Sequence, residues 1–399
     1  MKLAHLADLH LGFRQYHRQT SSGINQREAD VALAFRRAID DLAAERPDAI
    51  VIAGDIFHSV RPTNAAILDA FTQLKRLRDL LPEVPVVIVA GNHDTPRSLE
   101  TGSILRLFEN LGISVAWDRP RRLAFERLGL SILAVPTATW LSDHIAIEPD
   151  PQSRYNVMVT HREVDGVIPE TSGLREYGMA PIDVRQLHAD RFDYVALGHY
   201  HVAHAVSPNA WYSGSLEYVS SNPWGELSAE PAGAPPKTPK GAKGWLAVEL
   251  GERGTKPRVQ FHPLALARKH FDLVPIKGAT ATADDLDRLI AERVAGIGGG
   301  VADQVVRQVI YDVPRLVARD VNHEQIRKLK ASALHYLIDM RRPRAAEAVG
   351  VTPGARVTLA DTVGDYLGRR PLDAGLNRER LVQLGRQYLA EVERELGEP

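Results

Sequence analysis

The chain has 399 residues, with 49 lysines and arginines against 50 aspartates and glutamates, and it has no cysteine. The length favours two or three domains, and the balanced charge means that any nucleic-acid surface must come from local clusters of basic residues. The absence of cysteine excludes disulfides, thiolate zinc sites and thiol nucleophiles, and it is compatible with a reducing cytoplasm.

The N-terminal segment is too short and too quickly polar for a signal peptide. No later apolar run approaches the length that crosses a membrane. We therefore expect a soluble, cytoplasmic protein with no membrane partner.

The first part of the chain has the rhythm of β-α-β units. Two amphipathic helices are predicted, over Glu28 to Ala44 and from about Asn64 to Leu81. Residues 122 to 136 resemble a hairpin, so the sheet is mixed or there are two sheets. Five apolar, β-branched runs have the length of buried strands: Leu3 to Ala7, Ala49 to Ala53, Val84 to Ala90, Val157 to Val159 and Tyr194 to Leu197.

The segment from Ser221 to Lys243 is crowded with proline, glycine and alanine. Such a composition favours a mobile loop that contributes nothing to a core. Strands are predicted on either side of it, over residues 211 to 215 and 243 to 250.

A second α/β unit is predicted over residues 267–340, with a strand, a helix, a glycine-rich break, a second strand and a helix beginning near Asn322. Residues 341–357 have the composition of a linker. The tail, residues 358–399, predicts two amphipathic helices, and their apolar stripes are Leu359, Val363, Tyr366 and Leu367 in the first and Leu381, Leu384, Tyr388, Val392 and Leu396 in the second.

Each of the five strand runs is followed by, or ends in, a short segment that carries ligands for a hard metal ion. If the strands are parallel, these segments meet at the carboxyl edge of the sheet, where open α/β sheets place their sites. One histidine after a strand is usually structural, so the prediction depends on the joint pattern. The segments are Asp8-Leu9-His10, Gly54-Asp55, Gly91-Asn92-His93-Asp94, Thr160-His161 and Gly198-His199-Tyr200-His201.

Carboxylate, imidazole and amide ligands together suit manganese, zinc, iron or magnesium. The carboxylate of Asp55, on a tight glycine turn, is able to bridge two ions. Two ions about 4 Å apart clamp the attacking and leaving oxygens of a phosphoryl displacement and lower the pKa of a water molecule. Such a site needs no protein nucleophile.

The ordered motifs D-x-H, G-D, G-N-H-D, a single H and G-H-x-H resemble those of the calcineurin-like metallophosphoesterase superfamily, over residues 1–265. Three extended segments resemble the SbcD nucleases, the bacterial and archaeal counterparts of the nuclease of the Mre complex. They are Asp8-Leu-His10-Leu-Gly12, Gly54-Asp-Ile-Phe-His58 and Tyr212-Ser-Gly-Ser215-Leu-Glu217. The resemblance implies an α/β (α+β) fold: a two-sheet sandwich flanked by helices, a small α/β capping domain (267–340) and a helical partner-binding tail (358–399).

The resemblance also implies roles for single residues. It assigns Asp8, His10, Asp55 and His201 to one ion, and Asp55, Asn92, His161 and His199 to the other, with manganese as first choice and magnesium, iron or zinc as alternatives. His93 resembles the histidine that protonates the leaving oxygen or stabilises the phosphorane, and Asp94 would fix its tautomer. His58 is a second catalytic candidate, and the alternative is a helix N-terminal residue without chemistry.

A two-metal site alone would serve many phosphate esters, so the choice of DNA depends on the surroundings. The resemblance implies that the capping domain helps to hold DNA. It also implies that the tail grips the coiled coil of an SMC-like ABC ATPase of the SbcC type, and that the protein is a homodimer. Alternatively, the basic residues are solvated surface charges and the tail helices fold back on the core. The candidate DNA contacts are Arg14, His17, Arg18, Arg27 and Arg61.

The function implied is a two-metal DNA nuclease, a 3′-to-5′ exonuclease and structure-dependent endonuclease, in double-strand-break repair. One alternative is a stand-alone metallophosphodiesterase that acts on small phosphate esters. Another is a mainly architectural subunit that tethers DNA ends. No Walker A loop occurs in the chain, so ATP dependence would have to come from a partner.

Overall fold

The computed structural model describes residues 1–96, 102–141, 146–168, 180–252, 254–343, 359–369 and 377–395. The chain forms two compact units, Met1–Arg341 and Arg342–Pro399. Within the described ranges, none of the helices is long and apolar enough to cross a membrane.

The first unit contains three sheets and six helices among its described residues. In chain order the strands are β1 Lys2–Leu6, β2 Ala49–Ala53, β3 Val86–Val89, β4 Ser114–Ala116, β5 Arg121–Phe125, β6 Leu130–Val135, β7 Tyr155–His161, β8 Tyr194–Gly198, β9 His204–Ser207, β10 Ala210–Tyr212, β11 Gly244–Glu249, β12 Arg258–Pro263, β13 His270–Lys277, β14 Val305–Tyr311 and β15 His335–Met340. The helices are α1 Gln26–Glu45, α2 Asn64–Leu80, α3 Trp224–Ser228, α4 Ala283–Ala295, α5 Arg315–Asp320 and α6 His323–Ser332.

Two six-stranded sheets form a sandwich. The first has the order β12-β11-β1-β2-β3-β4, in which β1 to β4 are parallel and β11 and β12 are antiparallel additions. The second has the order β5-β6-β7-β8-β10-β9, in which β6, β7, β8 and β10 are parallel. The predicted α/β two-sheet sandwich is therefore confirmed, and the five predicted strands divide between its two sheets.

Alternation along the strands separates the two faces of the first sheet. Leu3 and Val51 pack in a core cluster that also contains Val157 and Tyr194 of the second sheet. Their neighbours on the strands pack in a second cluster, against α1 and α2. The helices α1 and α2 thus cover the outer face of the first sheet. Apolar side chains from both sheets fill the space between them.

The two helices begin where polar side chains cap them. The side chain of Asn25 accepts from the amide of Arg27 at the start of α1, and Thr63 accepts from Ala66 at the start of α2. The apolar stripe of α1 is buried, as expected for an amphipathic helix, and it consists of Val31, Phe35, Ala38, Ile39 and Leu42. Burial of this stripe on the sheet stabilises the helix.

The third sheet, β13-β14-β15, is parallel throughout and packs against α4, α5 and α6. The sequence prediction for residues 267–340 missed α5 and β15, which are short and follow no strong periodicity. Ion pairs join this capping region to the sandwich. Arg18 lies 3.2 Å from Asp303, and Arg268 lies 2.9 Å from Asp30.

The prediction of a mobile loop between Ser221 and Lys243 is wrong. The segment contains α3 and packs on the sandwich through backbone hydrogen bonds, from Ala232 to Ala203 and from Phe261 to Gly233. Trp224 and Lys243 are among its buried side chains. Proline and glycine set the turns here, and a few large side chains between them provide the anchors.

The second unit contains the two predicted tail helices, α7 Leu359–Arg369 and α8 Arg378–Glu395. They contact each other, since the guanidinium of Arg378 donates to the carbonyl oxygens of Leu367 (3.2 Å) and Gly368 (2.6 Å). Tyr366 and Tyr388 remain 61% and 62% exposed. Residues 344–358 and Leu396 lie outside the described residues, so most of the predicted linker and the end of the second stripe do as well.

Trp224 anchors the segment that was predicted to be mobile. Its indole packs against Val305 and Leu334 of the capping region, and the guanidinium of Arg307 lies 4.6 Å from the ring. We expect Trp224→Ala to lower the free energy of unfolding by about 3 kcal/mol, because a large buried aromatic leaves a cavity. Denaturant unfolding measures this change. Exposed Glu230→Ala, in the same segment, should change stability by less than about 0.5 kcal/mol.

Candidate metal centre

The predicted metal ligands lie at the carboxyl ends of strands from both sheets of the sandwich. Backbone hydrogen bonds hold their loops together: Asp8 donates to Gly54 (3.0 Å) and His10 to Asp55 (2.9 Å). The amide of His199 donates to the carboxylate of Asp8 (3.1 Å), which joins the second sheet to the first. Six of the ligands are buried: Asp8, His10, Asp55, His161, His199 and His201.

One group of ligand atoms surrounds His10. Its Nε2 lies 3.2 Å from Nε2 of His201 and 3.6 Å from Oδ2 of Asp55. Ligand atoms of Asp8, His10 and His201 all lie within 4.8 Å of one another. Such convergence of buried nitrogen and oxygen lone pairs suits a metal ion. The group contains the four residues predicted to hold the first ion, which are Asp8, His10, Asp55 and His201.

The second group of ligand atoms surrounds His161. Its Nδ1 lies 2.8 Å from the carbonyl oxygen of Ala53, which can only accept, so Nδ1 carries a proton and Nε2 is the ligand atom. This Nε2 lies 2.9 Å from Oδ1 of Asn92 and 3.3 Å from Oδ2 of Asp55. His199 stands edge-on to His161, with ring centroids 5.4 Å apart. The structure thus brings the second predicted ligand set together as well.

The carboxylate of Asp55 belongs to both groups. Its Oδ1 accepts a hydrogen bond from the amide of His93 (2.9 Å). Its buried Oδ2 faces His10 and His161, and it accepts no hydrogen bond of good geometry from the described residues. A buried carboxylate oxygen without a donor is costly, and metal ions on either side would satisfy it. The residues present therefore fit a two-metal centre.

Four of the predicted ligands have a backbone conformation that L-residues rarely adopt. The φ angles are 54° at Asp8, 45° at His10, 51° at Asp55 and 114° at His199. Strain of this kind costs about 1–3 kcal/mol per residue and persists only where the surroundings enforce it. Gly91 allows the third metal loop to approach Asp55 closely, because a Cβ at this position would collide with the carboxylate of Asp55.

The charges of the centre call for a cation. Burial, the largest effect, raises the pKa of Asp8 to about 7. Burial opposes the shifts of Asp55 and His161, but their mutual attraction prevails; it lowers the pKa of Asp55 and raises that of His161 to about 10. Positive charge next to Asp55 is thus strongly favoured, and a divalent ion is one way to supply it.

The two catalytic candidates lie beside the first ligand group. Nδ1 of His58 is 3.2 Å from Nδ1 of His10, and the rings of His58 and His93 are stacked with centroids 5.2 Å apart. His58 precedes α2 by several residues, so the alternative of a helix N-terminal residue does not apply. Nδ1 of His93 lies 2.8 Å from the carbonyl oxygen of His58.

The role predicted for Asp94 is wrong. Its carboxylate accepts from the backbone amides of Gly91 (3.2 Å), Ile56 (3.1 Å) and Phe57 (3.0 Å). Asp94 therefore fastens the second and third metal loops to each other. The tautomer of His93 is set instead by the carbonyl oxygen of His58, which requires a proton on Nδ1.

Four of the five candidate DNA contacts are exposed: Arg14, His17, Arg18 and Arg61. Arg14 also pairs with Glu28 at 2.7 Å. The guanidinium of Arg18 also donates to the carbonyl oxygens of Ala331 and Ala333 in the capping region.

The prediction that Arg27 contacts DNA is wrong. Its side chain is fully buried, with ion pairs to Asp30 (3.1 Å) and Glu217 (3.2 Å) and a hydrogen bond to the carbonyl oxygen of Tyr218 (2.8 Å). The sequence shows that an arginine follows a metal loop, but it does not show whether its side chain faces the core or the solvent. A buried ion-pair partner and a surface cation therefore cannot be distinguished from the sequence.

Two buried carboxylates that were not among the predicted site residues lie beside the ligands. Glu163 lies 3.7 Å from Nε2 of His199, and Glu226 lies 3.4 Å from Nδ1 of His201. Glu163 follows His161 by two residues, a signal that was open to the sequence reasoning. Glu226 lies in the segment predicted to be mobile, and nothing in the sequence pointed to it.

Comparisons with known proteins find a matching family and similar proteins. The family model described as calcineurin-like phosphoesterase matches residues 1–203. Three archaeal proteins named DNA double-strand break repair protein Mre11 are similar. Identity is 30% over 206 residues in Sulfolobus acidocaldarius (49% of this chain, 51% of that protein). It is 27% over 231 residues in Saccharolobus solfataricus (56% and 54%) and 29% over 217 residues in Methanopyrus kandleri (51% and 45%). The chain spans about half the length of these curated relatives.

The two ligand groups share the carboxylate of Asp55. A substitution of Asp55 should therefore affect metal binding at both groups, and a substitution of an unshared ligand should affect only one. With Mn²⁺ as the probe ion, Asp55→Ala should abolish binding at both ligand groups, whereas Asn92→Ala should weaken binding at one group and keep it at the other. Equilibrium dialysis followed by elemental analysis counts the ions per chain. His204→Ala, on β9 and outside both groups, should bind as many ions as the wild type. An Asp55→Ala chain that still holds two ions would contradict the shared carboxylate.

Proposed function

The chain belongs to the calcineurin-like phosphoesterase family, and from this premise we propose that it is a two-metal DNA nuclease that hydrolyses phosphodiesters in double-strand-break repair. The observation that carries the proposal is the position of Asp55, whose Oδ2 faces His10 and His161 from the two ligand groups. Similarity to repair proteins named Mre11 supports DNA as the substrate.

The first ion would be held by Asp8, His10, Asp55 and His201, and the second by Asp55, Asn92, His161 and His199. Manganese is our first choice, and magnesium, iron or zinc are alternatives. Bound ions would stabilise the charge of the phosphate and lower the pKa of a water molecule.

His93 is the proposed acid. With Nδ1 donating to the carbonyl oxygen of His58, Nε2 is the atom able to exchange a proton with an ester oxygen. Stacking on His58 and the edge contact with His10 keep this ring beside the ligands. Asp94 acts indirectly, because its hydrogen bonds to backbone amides hold the loops of Asp55 and His93 together.

DNA would reach the centre across an exposed basic surface. Arg14 and His17 follow the first metal loop and Arg61 follows the second, so their charges are available to the phosphates of a bound strand. The capping region adds exposed cations on α5 and α6: Arg315, Arg319, Arg327 and Lys328. We propose 3′-to-5′ exonuclease and structure-dependent endonuclease activity for this surface and centre together.

The tail helices α7 and α8 are the proposed site for an SMC-like ABC ATPase of the SbcC type. Tyr366, Tyr388 and Val392 stay exposed even though the helices contact each other. A pair of short helices with exposed apolar side chains gains stability from a partner's groove. A homodimer and a cytoplasmic location belong to the same proposal.

Loss of the proposed acid should separate catalysis from metal binding. We expect His93→Ala to bind both Mn²⁺ ions but to cleave a labelled DNA duplex at least about 100-fold more slowly, because a general acid is removed. Gel electrophoresis of the products measures the rate. Chelator should stop wild-type cleavage, and His204→Ala should cleave at the wild-type rate.

Two outcomes would contradict this assignment. Turnover of a nitrophenyl phosphodiester without cleavage of duplex DNA would favour a phosphodiesterase for small esters. Full DNA-end bridging with no cleavage by the wild-type protein in Mn²⁺ would favour an architectural subunit.

Removal of residues 355–399 should release the ATPase and leave duplex cleavage by the isolated protein unchanged. Co-purification with a tagged coiled-coil ATPase measures the first effect. Tyr366→Glu with Tyr388→Glu should act like the deletion, whereas Glu379→Lys, at the start of α8, should not. An ATPase that stays bound to the shortened chain would contradict the role of the tail.

A further inference from the structure

A buried ion pair lies directly behind the metal ligand His201. Glu226 of α3 and Lys243, just before β11, contact each other through Oε2 and Nζ. Both residues are 2% exposed. Removing two charges from water is unfavourable unless further polar contacts compensate, so the partners of this pair are informative.

His201 receives contacts from both members of the pair. Oε1 of Glu226 lies 3.4 Å from Nδ1 of its ring. Nζ of Lys243 donates to its carbonyl oxygen at 2.7 Å, and Ser215 donates to the same oxygen through its amide at 3.2 Å. The pair thus touches the side chain and the main chain of one residue.

The opposite nitrogen of His201 faces the metal centre. Its Nε2 lies 3.2 Å from Nε2 of His10. A carboxylate next to Nδ1 favours the tautomer in which Nδ1 carries the proton, and that tautomer presents the Nε2 lone pair to a cation. In the second ligand group the carbonyl oxygen of Ala53 does the same for His161.

We propose that Glu226, held in place by Lys243, is a positioning residue that orients His201 and sets the affinity of the metal ion bound by Asp8, His10, Asp55 and His201. The inference rests on the metal centre of the proposed function but not on the identity of the substrate. It assigns a purpose to the segment from Ser221 to Lys243, whose α3 brings Glu226 to the back of the centre. A carboxylate there stabilises the ligand form of His201 and the charge of the bound ion together.

The test measures the affinity of the full chain for Mn²⁺. The electron paramagnetic resonance signal of the free ion reports how much Mn²⁺ remains unbound. Glu226→Gln should weaken one of the two sites by about 10- to 100-fold and leave the other unchanged. Thermal unfolding of the metal-free variant reports any loss of folding separately. The matched control is Glu230→Gln, which removes one partner of the exposed Glu230–Lys240 ion pair from the same segment and should bind both ions as the wild type does.

A second variant separates positioning from a structural effect. Glu226→Gln leaves Lys243 buried without its partner, which destabilises a protein, whereas Glu226→Leu with Lys243→Leu removes both charges and is expected to fold. If the pair only stabilises the fold, the double variant should bind both ions normally. If Glu226 orients His201, the double variant should be stable and still weak at one site.

The possible results are distinct. Wild-type affinity at both sites in Glu226→Gln or in the double variant overturns the inference alone. Equal weakening of both sites also overturns it, because a local contact to His201 acts on one ligand group. A wild-type chain that binds no Mn²⁺ overturns the metal centre, and one that binds two ions without cleaving DNA overturns only the nuclease assignment.

Discussion

The sandwich is organised around one buried carboxylate, that of Asp55. Its Oδ2 faces a histidine from each ligand group, His10 after β1 and His161 at the end of β7, so the two sheets must bring their carboxyl edges together around it. The hydrogen bond from His199 to Asp8 fixes this approach on the other side. A carboxylate with so little solvent is tolerated only where positive charge lies beside it, and His161 or a bound cation would supply that charge.

The loops around Asp55 are held against local preference. Left-handed backbone at Asp8, His10 and Asp55 is unfavourable for residues with a Cβ, and it persists because hydrogen bonds between neighbouring loops leave little alternative. The strands beneath supply the rigidity, since the cluster between the sheets is built from fully buried side chains such as Val51 and Val157. The candidate ligands are thus held in strained backbone above a rigid apolar core.

The sequence contained enough to predict the five strands that lead to the candidate ligands, the first two helices and the convergence of the ligands. These follow from apolar periodicity and from polar residues placed directly after strands, which are local signals. Burial of a charged side chain depends on tertiary contacts, and there the predictions failed. Arg27 looked like a surface cation and is an internal ion-pair partner, and Asp94 looked like the partner of His93 and binds loop amides instead. Composition also misled for residues 221–243, because it reports average polarity and not the one tryptophan that anchors the segment.

Buried charges lead from the metal ligands toward the capping region. Lys243 contacts the carbonyl oxygen of His201 and the hydroxyl of Ser215, and two residues beyond Ser215 the carboxylate of Glu217 pairs with Arg27. Arg27 in turn shares Asp30 with Arg268, which precedes the first strand of the capping sheet and donates to the carbonyl oxygen of Asp303. Each of these groups would be left with an unsatisfied charge if its neighbour moved away. A series of buried polar contacts therefore connects the loops of the candidate metal centre to the base of the capping region.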